Sequence, residues 1–408
     1  MRALYISYDG MTDPLGRSQV LPYLQGLSQR GHELTLLSCE KPGRMAAEGP
    51  AVRRICDAAG IDWQPIAYHK SPPILSGLID VAALKRAAVR LHQRKQFDLI
   101  HCRSYMAAIV GDWLKRTRGV PFLFDIRGFW ADERVERGIW PARNPLFRAA
   151  YRYFKRLERR FFRDADAIVS LTESARHEID NWPVDRRPSA SITVIPCCVD
   201  LALFDEAARK GRSATRKRLG LGAKTPLLVY VGSVGGAYLT DQMFALFRAY
   251  RKLRPGARFL FVTGHPRQEI ERIAVAQGID RAELAVVSAT REEVPSLIAA
   301  ADLGVSFILA TYSAKASCPT KFGEMLAMGV PVIANSGVGD IAEIIHDTGA
   351  GAIVERYDEP SLTEAIRQAE AAAKDSRSVR AAAIRHFALE AGIDRYDGIY
   401  QAIGRQAE

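Results

Sequence analysis

The stretch from Ser317 to Ala334, SCPTKFGEMLAMGVPVIA, places Lys321 and Glu324 three residues apart at the start of a short predicted helix. A cation at a helix amino terminus opposes the macrodipole unless an anion lies close by, so Lys321 in that position fits a bound phosphate. Glu324, one turn on, could accept hydrogen bonds from two vicinal ribose hydroxyls. The competing reading is a surface i, i+3 salt bridge. Two glycine loops could supply further phosphate contacts. One is DGMTDPLGRSQ, from Asp9 to Gln19 and including Asp13 and Gly16; the other is Gly232-Ser233-Val234-Gly235-Gly236. Each follows an apolar run and precedes a helical pattern, so bare backbone N–H groups and a helix start would face an anion. Neither loop is GxGxxG or GxxxxGK[ST], which weakens dinucleotide and P-loop readings.

Three further groups end apolar runs. Asp125-Ile126-Arg127-Gly128-Phe129-Trp130 concentrates charge, a glycine and an aromatic pair. Arg127 suits a phosphate or hydroxyls, and Asp125 an acceptor hydroxyl. A structural ion-pair network is the alternative. His101 and Arg103 close another run, where a histidine is more often structural. Asp164-Ala165-Asp166 matches a DxD metal motif but precedes its strand, so it reads as turn chemistry.

These groups need a scaffold that holds loops at strand ends. Apolar runs at Ala3 to Ser7, Leu34 to Ser38, Asp98 to His101, Pro121 to Asp125, Ala167 to Leu171 and Ile192 to Ile195 alternate with amphipathic stretches of helix length. Such alternation implies a parallel sheet covered on both faces. The rhythm restarts after Asp205 to Lys224, with Leu227 to Val231, Arg258 to Thr263, Leu284 to Val287, Leu303 to Phe307, Pro331 to Ala334 and Gly351 to Val354. The expectation is an α/β protein of two doubly wound, Rossmann-like domains, residues 1–203 and 204–385, facing each other across a cleft. A last helix within 386–408 crosses back to the first domain. Ligands of open α/β sheets bind outside the carboxyl ends of the strands.

Composition bounds the rest. In 408 residues, 57 Lys and Arg against 46 Asp and Glu give a net charge of +11, with 48% hydrophobic and 25% charged residues, as in globular chains. No run is long and apolar enough for a transmembrane helix, the start lacks a signal-peptide pattern, and six cysteines show no CxxC pair or zinc spacing. A cytoplasmic protein with no metal and no cofactor is expected. Between Arg143 and Arg163 eight basic residues accompany one acid, Glu158, with Phe147, Tyr151, Phe154, Leu157 and Phe161 along one helical stripe. A second basic amphipathic segment runs from Pro73, Ile74 and Leu75 to Lys95. The stripe reads as a helix face packed on the sheet with its arginines solvated; the excess positive charge, with the second segment, is expected to serve peripheral attachment to an anionic membrane at its inner face. Nucleic acid is disfavoured, since no zinc finger, RNP-type strand or polybasic tail is present.

Taken together, the DPLGRSQ loop, Asp125 to Trp130, Leu157 to Ser170, Val194-Ile-Pro-Cys-Cys-Val-Asp200, the Gly232 loop and PTKFGEMLAMGVPVIA resemble retaining glycosyltransferases of the GT-B architecture, family 4 type. The resemblance implies a metal-independent enzyme moving a sugar from a nucleoside-diphosphate sugar to an acceptor hydroxyl with retention. The acceptor would be a glycan, a lipid-linked group or a small molecule. Glu324 matches the second glutamate of the family's two-glutamate signature, which binds the donor ribose; the first falls on Ala316. Sugar recognition then rests on Ser317, Thr320 or backbone amides. The Gly232 loop lacks the basic pair of many relatives, leaving Lys321, Lys315 or Arg291 to neutralise the diphosphate. The residues expected in catalysis are Lys321, Asp125 and Arg127, with Gly16, Gly232, Ser233, Gly235, Gly236 and Arg291 also on the donor. Asp13, His101, Arg103 and Trp130 are expected on the acceptor side. The rival readings are a nucleotide-sugar epimerase or hydrolase of the same fold and a non-catalytic nucleotide-binding protein.

Overall fold

In a computed structural model, residues 1–72, 75–184 and 191–407 are described, and they divide into two units: 1–196 with 389–408, and 197–388. The first unit is built on seven parallel strands: β1 (Arg2–Ser7), β2 (Glu33–Glu40), β3 (Asp62–Ala67), β4 (Leu99–Arg103), β5 (Phe122–Asp125), β6 (Ala167–Ser170) and β7 (Ile192–Val194), ordered β3-β2-β1-β4-β5-β6-β7. The second has six: β8 (Leu227–Val231), β9 (Arg258–Val262), β10 (Leu284–Val287), β11 (Leu303–Ser306), β12 (Val332–Asn335) and β13 (Gly351–Val354), ordered β10-β9-β8-β11-β12-β13. Both are doubly wound sheets, and strand order reverses at β1/β4 and at β8/β11, where such sheets take ligands.

Twelve of the thirteen strands coincide with apolar runs, because a parallel strand covered on both faces must be apolar throughout. The exception, β3, reads DWQPIA and is only partly buried. It lies at the sheet edge, where Pro65 costs no ladder bond and one face meets water. In the second unit Phe244, Phe247, Phe259 and Phe261 are fully buried, with the Phe259 and Phe261 rings 4.3 Å apart. Each such side chain contributes roughly 1.5–3 kcal/mol on burial.

The chain changes unit at 196/197 and 388/389, a few residues from the expected 203/204 and 385/386. The reason is local. Val199 donates its N–H to Phe387 O at 2.7 Å and bridges Ala388, which fastens both crossing points to the second unit. The helix Leu389–Ala407 then packs on Leu21–Gln29, where Gly26 is filled by Ile393: a Cβ there would lie 2.3 Å from Ile393 Cδ1. His32 Nε2 sits 2.7 Å from Asp397.

The stripe of helix Pro145–Asp164 turns inward, with Leu157 and Phe161 buried. Glu158 is buried too, and burial pushes its carboxyl upward against the pull of Lys155 and Tyr105. Arg148, Arg152, Arg156 and Arg159 follow one another at helical spacing and are all exposed. This helix and Leu75–Lys95 both pack on Ser104–Arg118. Leu75, Leu78 and Ile79 are exposed; Pro73 and Ile74 lie outside the described residues. Among the described residues no helix is long and apolar enough to cross a membrane.

Candidate active site

In the second unit the expected donor residues gather at the carboxyl edge of the sheet. The Gly232 loop follows β8, Arg291 follows β10, and Ser317, Thr320 and Lys321 follow β11. Gly235 and Gly236 have φ of 77° and 65°, successive left-handed residues that only glycine adopts cheaply, and no atom lies within 4 Å of a Cβ built on either. The loop is therefore a bare turn of backbone. Thr240 Oγ1, on the following helix, accepts from Gly235 N at 3.2 Å, and Ser233 O accepts from Tyr230 Oη.

At the same sheet edge, Thr320–Ala327 is a helix of eight residues with Lys321 in its first turn. Lys321 Nζ lies 2.7 Å from Glu324 Oε2, and Arg291 Nη1 lies 3.1 Å from Glu324 Oε1. The i, i+3 pair is thus real, but it is not a surface pair: Glu324 is 0% exposed, and a second cation completes it. One carboxylate between two cations leaves a net positive charge at the sheet edge that also carries the glycine loop, suited to a diphosphate. Arg291 Cζ also lies over the Phe204 ring at 5.5 Å, and Lys315 Nζ over Tyr312 at 5.4 Å. Ala316 is buried, so the position of the missing glutamate is apolar.

The first unit corrects several expectations. The loop from Asp9 to Gln19 does not hold its amides open for a phosphate. Met11 N and Thr12 N donate to the Glu40 carboxylate at 2.7 and 3.2 Å, and Thr12 Oγ1 adds a bond of 2.6 Å, so an internal anion occupies that seat. Gly16 has a packing reason, since a Cβ there would sit 2.3 Å from Gly10 O and 2.6 Å from Met11 Cα. Asp13, expected near an acceptor, is held by Lys41 at 2.8 Å and Arg44 at 3.0 Å.

His101, Arg103 and Asp125 do not face solvent at the strand ends. They are 1%, 2% and 1% exposed and form a charged cluster with Arg127 beneath the C-terminal helix. Asp125 Oδ2 accepts from Tyr396 Oη at 3.1 Å and lies 3.8 Å from Arg127 Nη1, 4.0 Å from Arg103 Nη1 and 3.8 Å from His101 Nε2. Burial alone would raise the Asp125 carboxyl, but Arg127, with His101 and Arg103, holds it below the usual range. Burial pushes His101 the other way, toward the neutral imidazole, only partly opposed by Asp125. His101 Nδ1 meets Tyr400 Oη at 2.9 Å. Asp125 thus sits in an ion-pair network and His101 as a hydrogen-bonded structural group, both covered by Tyr396 and Tyr400 of Leu389–Ala407. Arg127 has φ of +55°, a strained value for arginine. Trp130 is half-buried, stacked on Tyr105 at 5.9 Å, with Arg134 over its ring at 4.1 Å. Asp166 is bound to Lys115 and accepts from Phe122 N at 2.9 Å, as a turn residue does.

One arrangement was missed in the sequence. Asp80, fully buried, accepts from Tyr8 Oη at 2.9 Å and from His69 N at 3.2 Å, and meets His69 Nδ1 at 2.6 Å. The His69 side chain is 49% exposed, so its Nε2 edge looks outward from the carboxyl end of β3. The polar pattern of β3 hid it: without that strand, His69 had no strand end to follow.

Comparison with known proteins agrees with this architecture. The family described as Glycosyltransferase Family 4 matches residues 19–203, and Glycosyl transferases group 1 matches residues 225–371. A D-inositol 3-phosphate glycosyltransferase of Kineococcus radiotolerans is 28% identical over 343 residues, 80% of this chain and 73% of that protein. Among solved structures, sucrose-phosphate synthase from Thermosynechococcus elongatus superposes with a TM-score of 0.72 at 17% identity, over 99% of each chain. Anabaena HepE in complex with UDP-glucose gives 0.70 at 15% identity, over 99% of this chain and 100% of that one. One glycosyltransferase family matches each sheet, and the fold is that of whole enzymes of the class: the chain belongs to the GT-B glycosyltransferases of the family 4 type.

Proposed function

We propose that the enzyme transfers a sugar from a nucleoside-diphosphate sugar to an acceptor hydroxyl with retention of anomeric configuration, in glycan, glycolipid or other glycoconjugate synthesis. The observation that carries this reading is the Arg291–Glu324–Lys321 cluster at the same carboxyl sheet edge as the Gly235–Gly236 turn. As the bond from anomeric carbon to phosphate breaks, the electron pair leaves on the diphosphate oxygen. Lys321, Arg291 and the loop amides stabilise that charge; such preorganised donors are typically worth several kcal/mol. The acceptor hydroxyl attacks on the same face and passes its proton to the departing phosphate oxygen, so no general base and no metal ion is required. Glu324 holds the two cations and offers its remaining lone pairs to the donor ribose. Ser317 and Thr320 border the sugar. HepE, solved with UDP-glucose, supports a donor of this class.

On the acceptor side, Arg127 and Trp130 are assigned to the acceptor, with the buried Asp125 and Arg103 positioning Arg127. The exposed arginines 148, 152, 156 and 159, with Leu146 at 59% and Tyr153 at 51% exposure on the same helix, support peripheral attachment to an anionic membrane surface.

Thermal shift against a panel of nucleotide sugars tests the donor assignment. A ligand at a hundred times its Kd adds about 2.7 kcal/mol, and at least one member is expected to raise Tm. A panel without effect at millimolar concentration would refute the reading. Release of free nucleoside diphosphate only when an acceptor is present separates a transferase from an epimerase or hydrolase.

A further inference from the structure

The second unit has another concave site, at the amino ends of its strands and away from the donor residues. Asp302 immediately precedes β11, and Val330 lies just before β12. The helix Thr320–Ala327 runs back from the donor edge to this one, so Lys321 stands near one end while Met328 and Gly329, beyond the other, line a cavity of about 510 Å³. Ala299, Ala301, Met328, Val330 and Ala373 supply an apolar wall. The charged lining is Arg209, Lys210, Arg212 and Arg377 against Glu206 and Asp302.

Not all of that charge is available. Arg212 donates to Ala299 O and Ala301 O and pairs with Asp302, which also faces Arg216 at 3.7 Å and accepts from Leu227 N at 2.8 Å. These contacts cap carbonyls and hold the fold together. Once the Arg212–Asp302 pair is set aside, three cations face one acid, Glu206. Arg209 is bonded to the Ser376 hydroxyl at 2.6 Å through Nη2. Lys210 and Arg377 are exposed at the cavity mouth, without a hydrogen bond or ion pair to any of the described residues. Like charges converging on one concavity repel each other in the empty protein, and they contribute favourably only when an anion joins them. The volume falls in the range of small-molecule sites, and guanidinium groups beside an apolar wall suit a phosphate carried on an uncharged body.

We propose that this cavity binds a small phosphorylated molecule through Arg209, Lys210 and Arg377, as a second anion site separate from the donor site. Calorimetry at fixed ionic strength, with pyrophosphate as the probe, tests it on the wild type, on Lys210→Gln/Arg377→Gln and on Lys321→Gln. Two pyrophosphate sites are expected in the wild type. The double variant is expected to weaken one of them roughly tenfold to a hundredfold, as the loss of charge-assisted bonds implies, while keeping its affinity for UDP. Lys321→Gln is expected to keep that same site. The double variant should also melt, without ligand, at or above the wild-type temperature. Unchanged pyrophosphate binding in the double variant would overturn the proposal, and so would a lowered melting temperature, which would give those cations a structural role. Because UDP reports on the donor site alone, its failure to bind would count against the proposed donor and leave this result standing.

Discussion

The ammonium of Lys321 and the carboxylate of Glu324 meet at 2.7 Å across one turn of an eight-residue helix, with the carboxylate fully buried and the cation a third exposed. The acid is the fixed member of the pair and the cation the presented one. An anion arriving at the helix start therefore meets a lysine whose position is already set.

Glu324→Gln tests this arrangement. A neutral amide leaves Lys321 and Arg291 without their shared counter-charge, and the expected loss of stability is about 1–3 kcal/mol. Donor affinity is expected to fall roughly tenfold as well, since the ribose contact and the cation geometry both suffer. Chemical denaturation and calorimetry with UDP measure the two separately. A loss of stability with unchanged UDP affinity would make Glu324 purely structural.

Asp125→Asn removes the buried carboxylate that lies between Arg103 and Arg127. Breaking a buried pair on one side costs roughly 3–5 kcal/mol. Urea unfolding is expected to show a loss of that size, changing little between low and high salt because the cluster is shielded from ions.

His101 gives the fold a pH dependence of definite sign. Its folded pKa lies below the ordinary 6.5, so the folded state prefers the neutral ring. The associated stability is complete above pH 6.5 and declines as pH falls from there toward the folded pKa, where the unfolded chain takes up a proton that the folded chain refuses. His101→Asn is expected to flatten this part of the profile. Melting temperatures of both proteins between pH 8 and 5 provide the check, and parallel curves would show that His101 contributes nothing. Asp125, with its lowered pKa, adds a second decline only at more acid pH, below the ordinary 3.8.

Replacing Arg148, Arg152, Arg156 and Arg159 with glutamine is expected to leave the melting temperature almost unchanged, since these side chains are exposed. Binding to anionic vesicles should drop by on the order of a thousandfold at about 1 kcal/mol per cation. Sedimentation with anionic and with neutral vesicles decides this; equal binding of wild type and variant would remove the arginine stripe from any membrane role.

Gly16→Ala tests the packing of the first glycine loop. The added methyl would lie 2.3 Å from Gly10 O, so the loop must move, at a cost of about 1–3 kcal/mol. Donor affinity is expected to hold, because Met11 N and Thr12 N already serve Glu40.

The sequence by itself determined the two sheets and the residues along the carboxyl edge of the second. Strands covered on both faces must be continuously apolar, and glycines with a lysine at a helix start are local signals. β3 escaped because an edge strand needs neither an apolar run nor a full set of ladder bonds, and His69 and Asp80 went unseen with it. Tertiary structure alone decided what each charge faces. Glu40 lies twenty-four residues past Gly16 yet fills the first loop. Arg291 reaches Glu324 from another strand end, and a helix almost three hundred residues downstream brings Tyr396 and Tyr400 over Asp125 and His101. Whether a charged side chain is exposed, paired or buried depends on groups far away in the chain, and local spacing carries no record of them.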